Sequence, residues 1–358
     1  MTTGIELIKR LSLTFGPSGA EEAVKAIIEE ELQESGALLE SDKLGNLIAR
    51  LPAHEGAPRV MLSAHMDEVG FMVTEIGEDG FLRFANLGGI DPAVMVGRAV
   101  MLGEEDRRVA GVIACKGIHF QTADERTKAP TLKEMYIDIG ATSREEAEKL
   151  VSLGTFGTFD TDFMLLGKDD AYLSCKALDD RVGCALLVEL VRELADKHLP
   201  LDLYFCFTVR EELGISGATV VANRVGADIG VVIETTAIAD LPTVPKARRV
   251  AAVGEGGVLS LLDRTTIYDR DLVNLALSIG RSENIPVQIK RFVSGGNDGD
   301  EIQQSGTGVR CMALSLPTRY LHAPVSVASV KDYFSMKELL RHFLAKMSES
   351  EDPLCIKP

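Results

Sequence analysis

Seven residues of this 358-residue chain have types and positions suited to binding metal ions and activating water. Each ends or follows an apolar segment, or opens a helical one, so we expect them to meet at one edge of a sheet. Imidazole nitrogens and carboxylate oxygens are ligands of zinc and similar divalent ions, and two such ions about 3.5–4 Å apart can share a carboxylate. The set therefore predicts a two-metal hydrolase. The residues are His65, Asp67, Asp179, Glu211, Glu212, Glu234 and His322.

The segment His65-Met66-Asp67 pairs a candidate ligand with a candidate partner. Side chains two residues apart on a strand lie on the same face, so Asp67 can accept the second ring N–H of His65 and fix its tautomer. A buried His–Asp pair with a purely structural role explains this motif equally well when it is considered alone.

Two acidic pairs, Asp179-Asp180 and Glu211-Glu212, offer further carboxylates. The first opens a helical segment, and a helix cap is its better explanation when it is considered alone. The second follows the apolar segment LDLYFCFTV. Because neighbouring strand side chains face opposite sides, one glutamate can face a metal while the other reaches a water. A solvated acidic turn is the alternative.

Glu234 and His322 complete the set, and each follows an apolar segment. A carboxylate at the end of a buried strand needs a partner or a cation. His322 precedes Ala323-Pro324, where a histidine in a surface turn is as good an explanation as a ligand. Their shared position at strand ends, rather than any single motif, favours metal binding.

The elements that must position these residues alternate along the chain. Continuous apolar segments predict strands covered on both faces, at 59–65, 201–208, 229–233 and 310–316. Helical periodicity occurs at 21–35, 180–194, 268–285 and 331–347. Such alternation predicts an α/β/α unit with a mixed, largely parallel sheet.

The sequence from 71 to 166 differs, with short strand segments, frequent glycine and one helix candidate at 143–152. It predicts a small inserted all-β unit, a barrel or a PDZ-like fold. We therefore expect a catalytic unit from 1–70 and 167–358 and a β unit from 71–166. The predicted strands of the β unit are 71–76, 81–87, 98–103, 109–115 and 135–141.

Composition limits the classes of partner. The net charge of −16, with no basic cluster, argues against nucleic acid. No apolar run reaches the ~18 residues of a membrane span, and the first residues lack the pattern of a signal peptide. Scattered cysteines without a CxxC pair indicate a reduced, soluble, cytoplasmic protein.

Five motifs in order, HMDEVG, ALDDRVG, REELG, VVIET and RYLHAP, resemble those of the M42 family of dinuclear metallo-aminopeptidases. Members are called glutamyl or deblocking aminopeptidases and sometimes endoglucanases. The resemblance covers nearly the whole chain, including FGPSGAEE, MYIDIGATSREEAEKL and GGNDGDEI. It implies hydrolysis of the N-terminal peptide bond of oligopeptides with two divalent ions, zinc or cobalt.

The resemblance also implies a ligand set. His65, Asp179 and Glu234 would hold one ion, and Asp179 would bridge to a second ion held with Glu212 and His322.

Further roles follow from the same resemblance. Glu211 would be the general base, Asp67 would orient His65, and the peptide bond between Asp179 and Asp180 would be cis. The β unit would mediate dimerisation, and dimers would assemble into a tetrahedral dodecamer. His119, in the loop 116–128 of the β unit, could reach a neighbouring subunit's site.

Two positions depart from the family pattern. Glu234 stands where Asp is frequent, and Asn297 stands where Thr is expected. Glutamate is one methylene longer than aspartate but offers the same donors, so we expect a preserved site with an altered metal preference.

Three other functions remain open. A metal-dependent deacylase or carboxypeptidase would use a similar cluster, but its substrates would not need a free amino terminus. An endoglucanase needs two carboxylates across a sugar bond and no metal. A non-catalytic scaffold would have no use for Glu211.

Overall fold

The computed structural model describes residues 4–104 and 107–350, which form a large mixed sheet with helices and a closed β-barrel. Strands are numbered in chain order, and the barrel takes β4 to β9. The large sheet contains β1 (Leu38–Ser41), β2 (Leu47–Leu51), β3 (Arg59–His65), β10 (Met164–Leu166), β11 (Tyr172–Cys175), β12 (Asp202–Thr208), β13 (Ile229–Ala237), β14 (Gly257–Leu259), β15 (Val287–Ile289), β16 (Arg310–Arg319) and β17 (Ser326–Ser329).

The sheet order is β1-β2-β12-β3-β13-β16-β17-β11-β10, with β14 beside β16 and β15 beside β14. Its four central strands, β12, β3, β13 and β16, are parallel. In β3 every residue after Arg59 is buried, because both faces of the strand are covered. The carboxyl ends of four neighbouring strands therefore open at one edge.

The helices are α1 (Gly4–Leu13), α2 (Glu22–Leu32), α3 (Arg144–Ala147), α4 (Leu178–Leu194), α5 (Ser216–Val225), α6 (Arg270–Ser282), α7 (Gly299–Ile302) and α8 (Val330–Ser348). Helix α4 lies against β3 and β13 and also contacts α1, α2 and α8. Helix α5 packs on β12, β3 and α7. Since α4 opens with the acidic pair, its packing fixes those acids against the end of β3.

Two central strands are longer than their apolar segments predicted. Strand β13 continues past Ile233 to Ala237, and β16 continues to Arg319. Thr235 and Thr236 are buried and hydrogen-bonded within the ladder, so the strand does not end where apolar residues end. Glu234 consequently lies inside β13 instead of ending it, which corrects the prediction.

The barrel is closed in the order β4-β5-β8-β7-β6-β9. The prediction of an α/β fold with a largely parallel sheet and a small all-β unit is confirmed. The sequence missed β9, and the helix predicted at 143–152 is only the short α3, which Ser143 caps by accepting the N–H of Glu146. The barrel strands are β4 (Gly70–Ile76), β5 (Leu82–Leu87), β6 (Ala99–Leu102), β7 (Val109–Ala114), β8 (Tyr136–Asp138) and β9 (Phe156–Phe159).

Among residues 4–104 and 107–350, no helix combines the length and the apolar character that a bilayer span requires.

Candidate metal centre

The candidate residues meet at the carboxyl edge of the large sheet. His65 is the last residue of β3, Glu234 lies in β13, and Glu211 and Glu212 follow the end of β12. His322 follows β16 by three residues. These four strands are neighbours and run in parallel, so residues up to 257 positions apart in sequence reach one place.

Asp179 lies between the two histidines and completes two overlapping groups. One group joins His65, Asp179 and Glu234, and the other joins Asp179, Glu212 and His322; in each, one potential ligand atom per residue lies within 4.8 Å of the others. The two carboxylate oxygens of Asp179 divide between the groups. Oδ1 is 3.3 Å from Nε2 of His65, and Oδ2 is 3.2 Å from Nε2 of His322.

The peptide bond between Asp179 and Asp180 is cis, in agreement with the expectation. Asp180 is fully buried, and its carboxylate accepts the N–H of Gly183 at 3.1 Å. Its side chain thus bonds to the first turn of α4, whereas Asp179 faces the histidines.

Two carboxylate oxygens at the centre lack a hydrogen-bond donor. Oδ1 of Asp179 and Oε1 of Glu212 are buried, and neither accepts a hydrogen bond within the described residues. Each is nevertheless 3.2–3.3 Å from an imidazole nitrogen, close but not aligned as donor and acceptor. Buried polar atoms are normally satisfied. Nitrogen and carboxylate donors around such unsatisfied oxygens fit divalent cations of the zinc type.

The electrostatics also favour cations. Burial, reinforced by the charge of Asp179, raises the pKa of Glu234 to about 8, and burial raises the pKa of Glu211 well above its usual range. Burial acts to lower the pKa of His322, but the hydrogen bond to Asp179 and the nearby carboxylate of Glu212 outweigh it and raise that pKa to about 11. The carboxylates therefore hold a proton on the imidazole, as expected of a site that attracts positive charge.

Asp67 links His65 to the backbone of Glu211 and Glu212. It is completely buried, and its carboxylate accepts the backbone N–H groups of Glu211 at 3.0 Å and Glu212 at 3.2 Å. Oδ1 of Asp67 is 3.3 Å from Nδ1 of His65, and its backbone oxygen is 3.1 Å from the same atom. Because β3 ends at His65, this contact comes from the turn after the strand and not from two residues on one strand face.

A barrel loop also reaches the centre. Nδ1 of His322 lies 2.8 Å from the carbonyl oxygen of Gly89, which can only accept, so this nitrogen carries the proton and Nε2 faces Asp179 and Glu212. Gly88 has φ +85°, and a Cβ there would lie 2.8 Å from Val69 and 3.2 Å from the Cβ of Glu212. Two candidate ligands thus depend on how this loop packs.

The residue after Asp67, Glu68, belongs to a buried ion network that the sequence did not reveal. Glu68 binds Lys176 at 2.7 Å, lies 3.4 Å from the fully buried Arg181, and accepts the hydroxyl of Thr158 in the barrel at 2.7 Å. Arg181 in turn donates to the carbonyl oxygens of Leu11, Thr14 and Gly16. The only sequence signal was their nearness to the candidate motifs, since no local pattern reports burial of a charge.

Two other sequence candidates lie outside the groups of potential ligands. His119 is exposed in a barrel loop and belongs to none of the groups of potential ligands formed by the described residues. Asn297 is buried, and its side-chain nitrogen donates to the hydroxyl of Tyr268 at 2.9 Å.

Comparison with known proteins agrees with the architecture. The chain is 36% identical over 335 residues to a putative aminopeptidase of Acetivibrio thermocellus, covering 94% of this chain and 96% of that protein. A TET aminopeptidase from the archaeon Thaumarchaeota archaeon SCGC AB-539-E09 superposes with a TM-score of 0.91 at 32% identity, with 95% of each chain covered.

A third relative carries information on assembly. The TET1 peptidase of Pyrococcus horikoshii, which can assemble into a tetrahedron or a large octahedral shell, has a TM-score of 0.85 and 33% identity, covering 94% of this chain and 98% of that chain. The sequence profile described as M42 glutamyl aminopeptidase matches residues 45–339. The chain therefore belongs to the M42 family of aminopeptidases, which are hydrolases of peptide bonds.

Proposed function

We propose that this aminopeptidase works with two divalent ions. Asp179 would contribute to both ligand sets, with His65 and Glu234 completing one set and Glu212 and His322 completing the other. The single observation that carries the proposal is the division of the Asp179 carboxylate, with one oxygen 3.3 Å from His65 and the other 3.2 Å from His322. Zinc and cobalt suit this mixture of nitrogen and oxygen donors.

Glu211 is the proposed general base. Its carboxylate lies within the group that includes His65 and Glu212, and it accepts no hydrogen bond from the described residues. Burial raises its pKa well above the usual range, which suits a group that takes a proton and returns it. Divalent ions held by these residues would supply Lewis acidity, which lowers the pKa of a bound water from ~16 toward ~7 and polarises a carbonyl.

In this proposal Glu211 removes the proton of the attacking water and delivers it to the leaving amine. Asp67 keeps His65 in one tautomer and holds the backbone of Glu211 and Glu212, so it orients the reacting groups without touching substrate. The acidic surroundings can also engage the free α-amino group of a peptide, which would restrict the enzyme to chain ends.

We further propose that the chain assembles with itself. The P. horikoshii relative forms closed shells, and the barrel offers exposed apolar residues, Ile118 and Phe120, in the loop 116–128. A dimer formed through the barrel and a tetrahedral dodecamer of such dimers are the proposed states. The buried free cysteines Cys175, Cys184, Cys206 and Cys311 support a reduced, cytoplasmic setting.

The test is a panel of amino-acid p-nitroanilides assayed with cobalt and with zinc, on protein of measured mass in solution. The matched controls are the N-acetylated p-nitroanilides. Hydrolysis of the free amines alone supports the aminopeptidase. Equal hydrolysis of the acetylated compounds would indicate a deacylase or another peptidase. Activity that survives complete removal of metal would contradict the two-metal proposal.

A further inference from the structure

Glu21 is a buried acid whose position at a helix start does not explain its contacts. It directly precedes α2, yet its side chain does not cap that helix. Instead, Oε1 of Glu21 accepts the backbone N–H of Gly19 at 2.8 Å and the backbone N–H of Arg210 at 3.1 Å. Arg210 is 189 residues away in sequence and directly precedes the acidic pair Glu211-Glu212.

The surroundings of Glu21 make its burial unfavourable. The residue is 5% exposed, and no lysine or arginine among the described residues forms an ion pair with it. Burial, together with the nearby charge of Asp67, raises the pKa of Glu21 to about 7. Backbone N–H groups, rather than a cation, offset this cost.

The turn held by Glu21 depends on side chains for all its backbone donors. Strand β12 ends at Thr208, and the next four N–H groups have no place in a ladder. The N–H of Val209 donates to the side-chain oxygen of Asn46 at 3.0 Å, and the N–H of Arg210 donates to the carboxylate of Glu21. The N–H groups of Glu211 and Glu212 both donate to the carboxylate of Asp67.

Arg210 is the conformationally demanding residue of this turn. Its φ is +56°, in the left-handed region that residues with a Cβ rarely adopt. Such a conformation persists when surrounding contacts over-determine it. The bond from Arg210 to Glu21 is a contact of this kind, and it lies directly before the two glutamates of the centre.

We infer that Glu21 is a positioning residue that holds the Arg210 turn and thereby aims Glu211 and Glu212 into the metal centre. The inference rests on the proposed function for what those two glutamates do. Glu21 acts through an acceptor oxygen at the right reach, so the length of its side chain matters and its charge does not.

The experiment compares three substitutions at Glu21 in the full chain. Glu21→Gln keeps the length and an acceptor oxygen, Glu21→Asp keeps the charge but is one methylene short, and Glu21→Ala removes both. Glu22→Ala is the control, since Glu22 is the adjacent acid and is exposed. The readouts are kcat and KM on a reactive p-nitroanilide, the melting temperature, and cobalt binding by titration calorimetry.

Glu21→Ala and Glu21→Asp are expected to lower kcat about ten- to a hundredfold, with little change in KM. They are also expected to lower the affinity for one of the two cobalt ions by a similar factor. Glu21→Gln is expected to stay close to wild type in kcat and cobalt affinity, and so is Glu22→Ala. This order also separates positioning from stability, because a purely structural residue would change the melting temperature without changing kcat below it.

Three results would overturn the inference. The first is that Glu21→Ala keeps wild-type kcat and cobalt affinity. The second is that Glu21→Asp is fully active while Glu21→Gln is impaired. The third is that Glu22→Ala loses as much kcat and cobalt affinity as Glu21→Ala. If Glu21→Ala does not fold, the comparison of Gln with Asp still decides. Glu211→Gln run in parallel separates the two proposals: if it keeps wild-type turnover, the assignment of the base fails. The cobalt titrations still test the turn in that case.

Discussion

The imidazole of His322 donates from Nδ1 to the carbonyl oxygen of Gly89, 2.8 Å away, and this bond joins the loop after β16 to the barrel. The same histidine is 31% exposed in its side chain, whereas His65 is 2% exposed at the end of a central strand. One group of potential ligands therefore lies on two central strands and the start of α4, whereas the other depends on two loops.

This asymmetry predicts a selective effect of Gly88→Ala. A Cβ at Gly88 would crowd Val69 and Glu212, so we expect the affinity for one ion to fall about tenfold or more while the other is retained. Metal content after dialysis measures this outcome. Gly97→Ala is the matched control, because Gly97 is also in the barrel at φ +81° with nothing within 4 Å of an added Cβ. Equal loss of both ions would contradict the prediction.

Replacing the proposed base should separate catalysis from metal binding. Glu211→Gln is expected to bind both ions normally and to lose about 10²–10⁴-fold in kcat, because an amide cannot accept and return the proton. Steady-state kinetics and metal analysis check both halves. The companion variant Glu212→Gln is expected to lose metal as well as activity. Wild-type turnover in Glu211→Gln would refute the assignment.

Metal binding should become weaker as the pH falls. Without metal, His322 has a pKa of about 11 and Glu234 a pKa of about 8, so both carry a proton at neutral pH. Both side chains must release these protons before they can bind a metal ion. For each proton released, the apparent affinity for the metal falls about tenfold when the pH is lowered by one unit. Calorimetry in buffers of different ionisation enthalpy counts the protons. An affinity that is constant between pH 6 and 8 would contradict the prediction.

Glu21 should make stability depend on pH in a defined window. Its pKa is raised from the ordinary 4.5 to about 7, so the folded chain binds more protons than the unfolded chain between those values. The titration of Glu21 therefore lowers the free energy of unfolding as the pH rises from 4.5 to 7, by at most about 3 kcal/mol.

The variant Glu21→Gln removes this titration. It is expected to melt at a higher temperature than wild type at pH 8 and at a similar temperature at pH 4.5, when both proteins are stripped of metal. Calorimetric melting at the two pH values is the measurement. A difference between the two proteins that is the same at both pH values would show that the charge of Glu21 is not the cause.

Much of the fold was predictable because its central strands are apolar. The segment 59–65 matched β3, and 201–208 differs from β12 by one residue. The carboxyl end of β13 was missed because Glu234, Thr235 and Thr236 are polar by sequence yet buried by their neighbours in the sheet. Periodicity reports the type of a side chain, whereas burial of these polar residues is decided by distant elements.

The same distinction applies to the centre. His65 and His322 could be proposed from their positions at or after the ends of apolar segments and from the family motifs, whereas Asp179, which opens a helical segment, depended on the family motifs. Glu21 and Glu68 could not, because their partners Arg210 and Lys176 lie 189 and 108 residues away. Only folding brings these groups together, and no spacing rule along the chain describes them.

The order of the centre along the chain has a consequence for synthesis. Among the candidate ligands, His65 is made first and His322 last, after all of β16. A growing chain therefore carries an incomplete set of candidate ligands until β16 and the loop after it have been made. By contrast, Arg181 and the carbonyl oxygens of Leu11 and Gly16 that accept its hydrogen bonds are all made before Glu211, Glu212, Glu234 and His322.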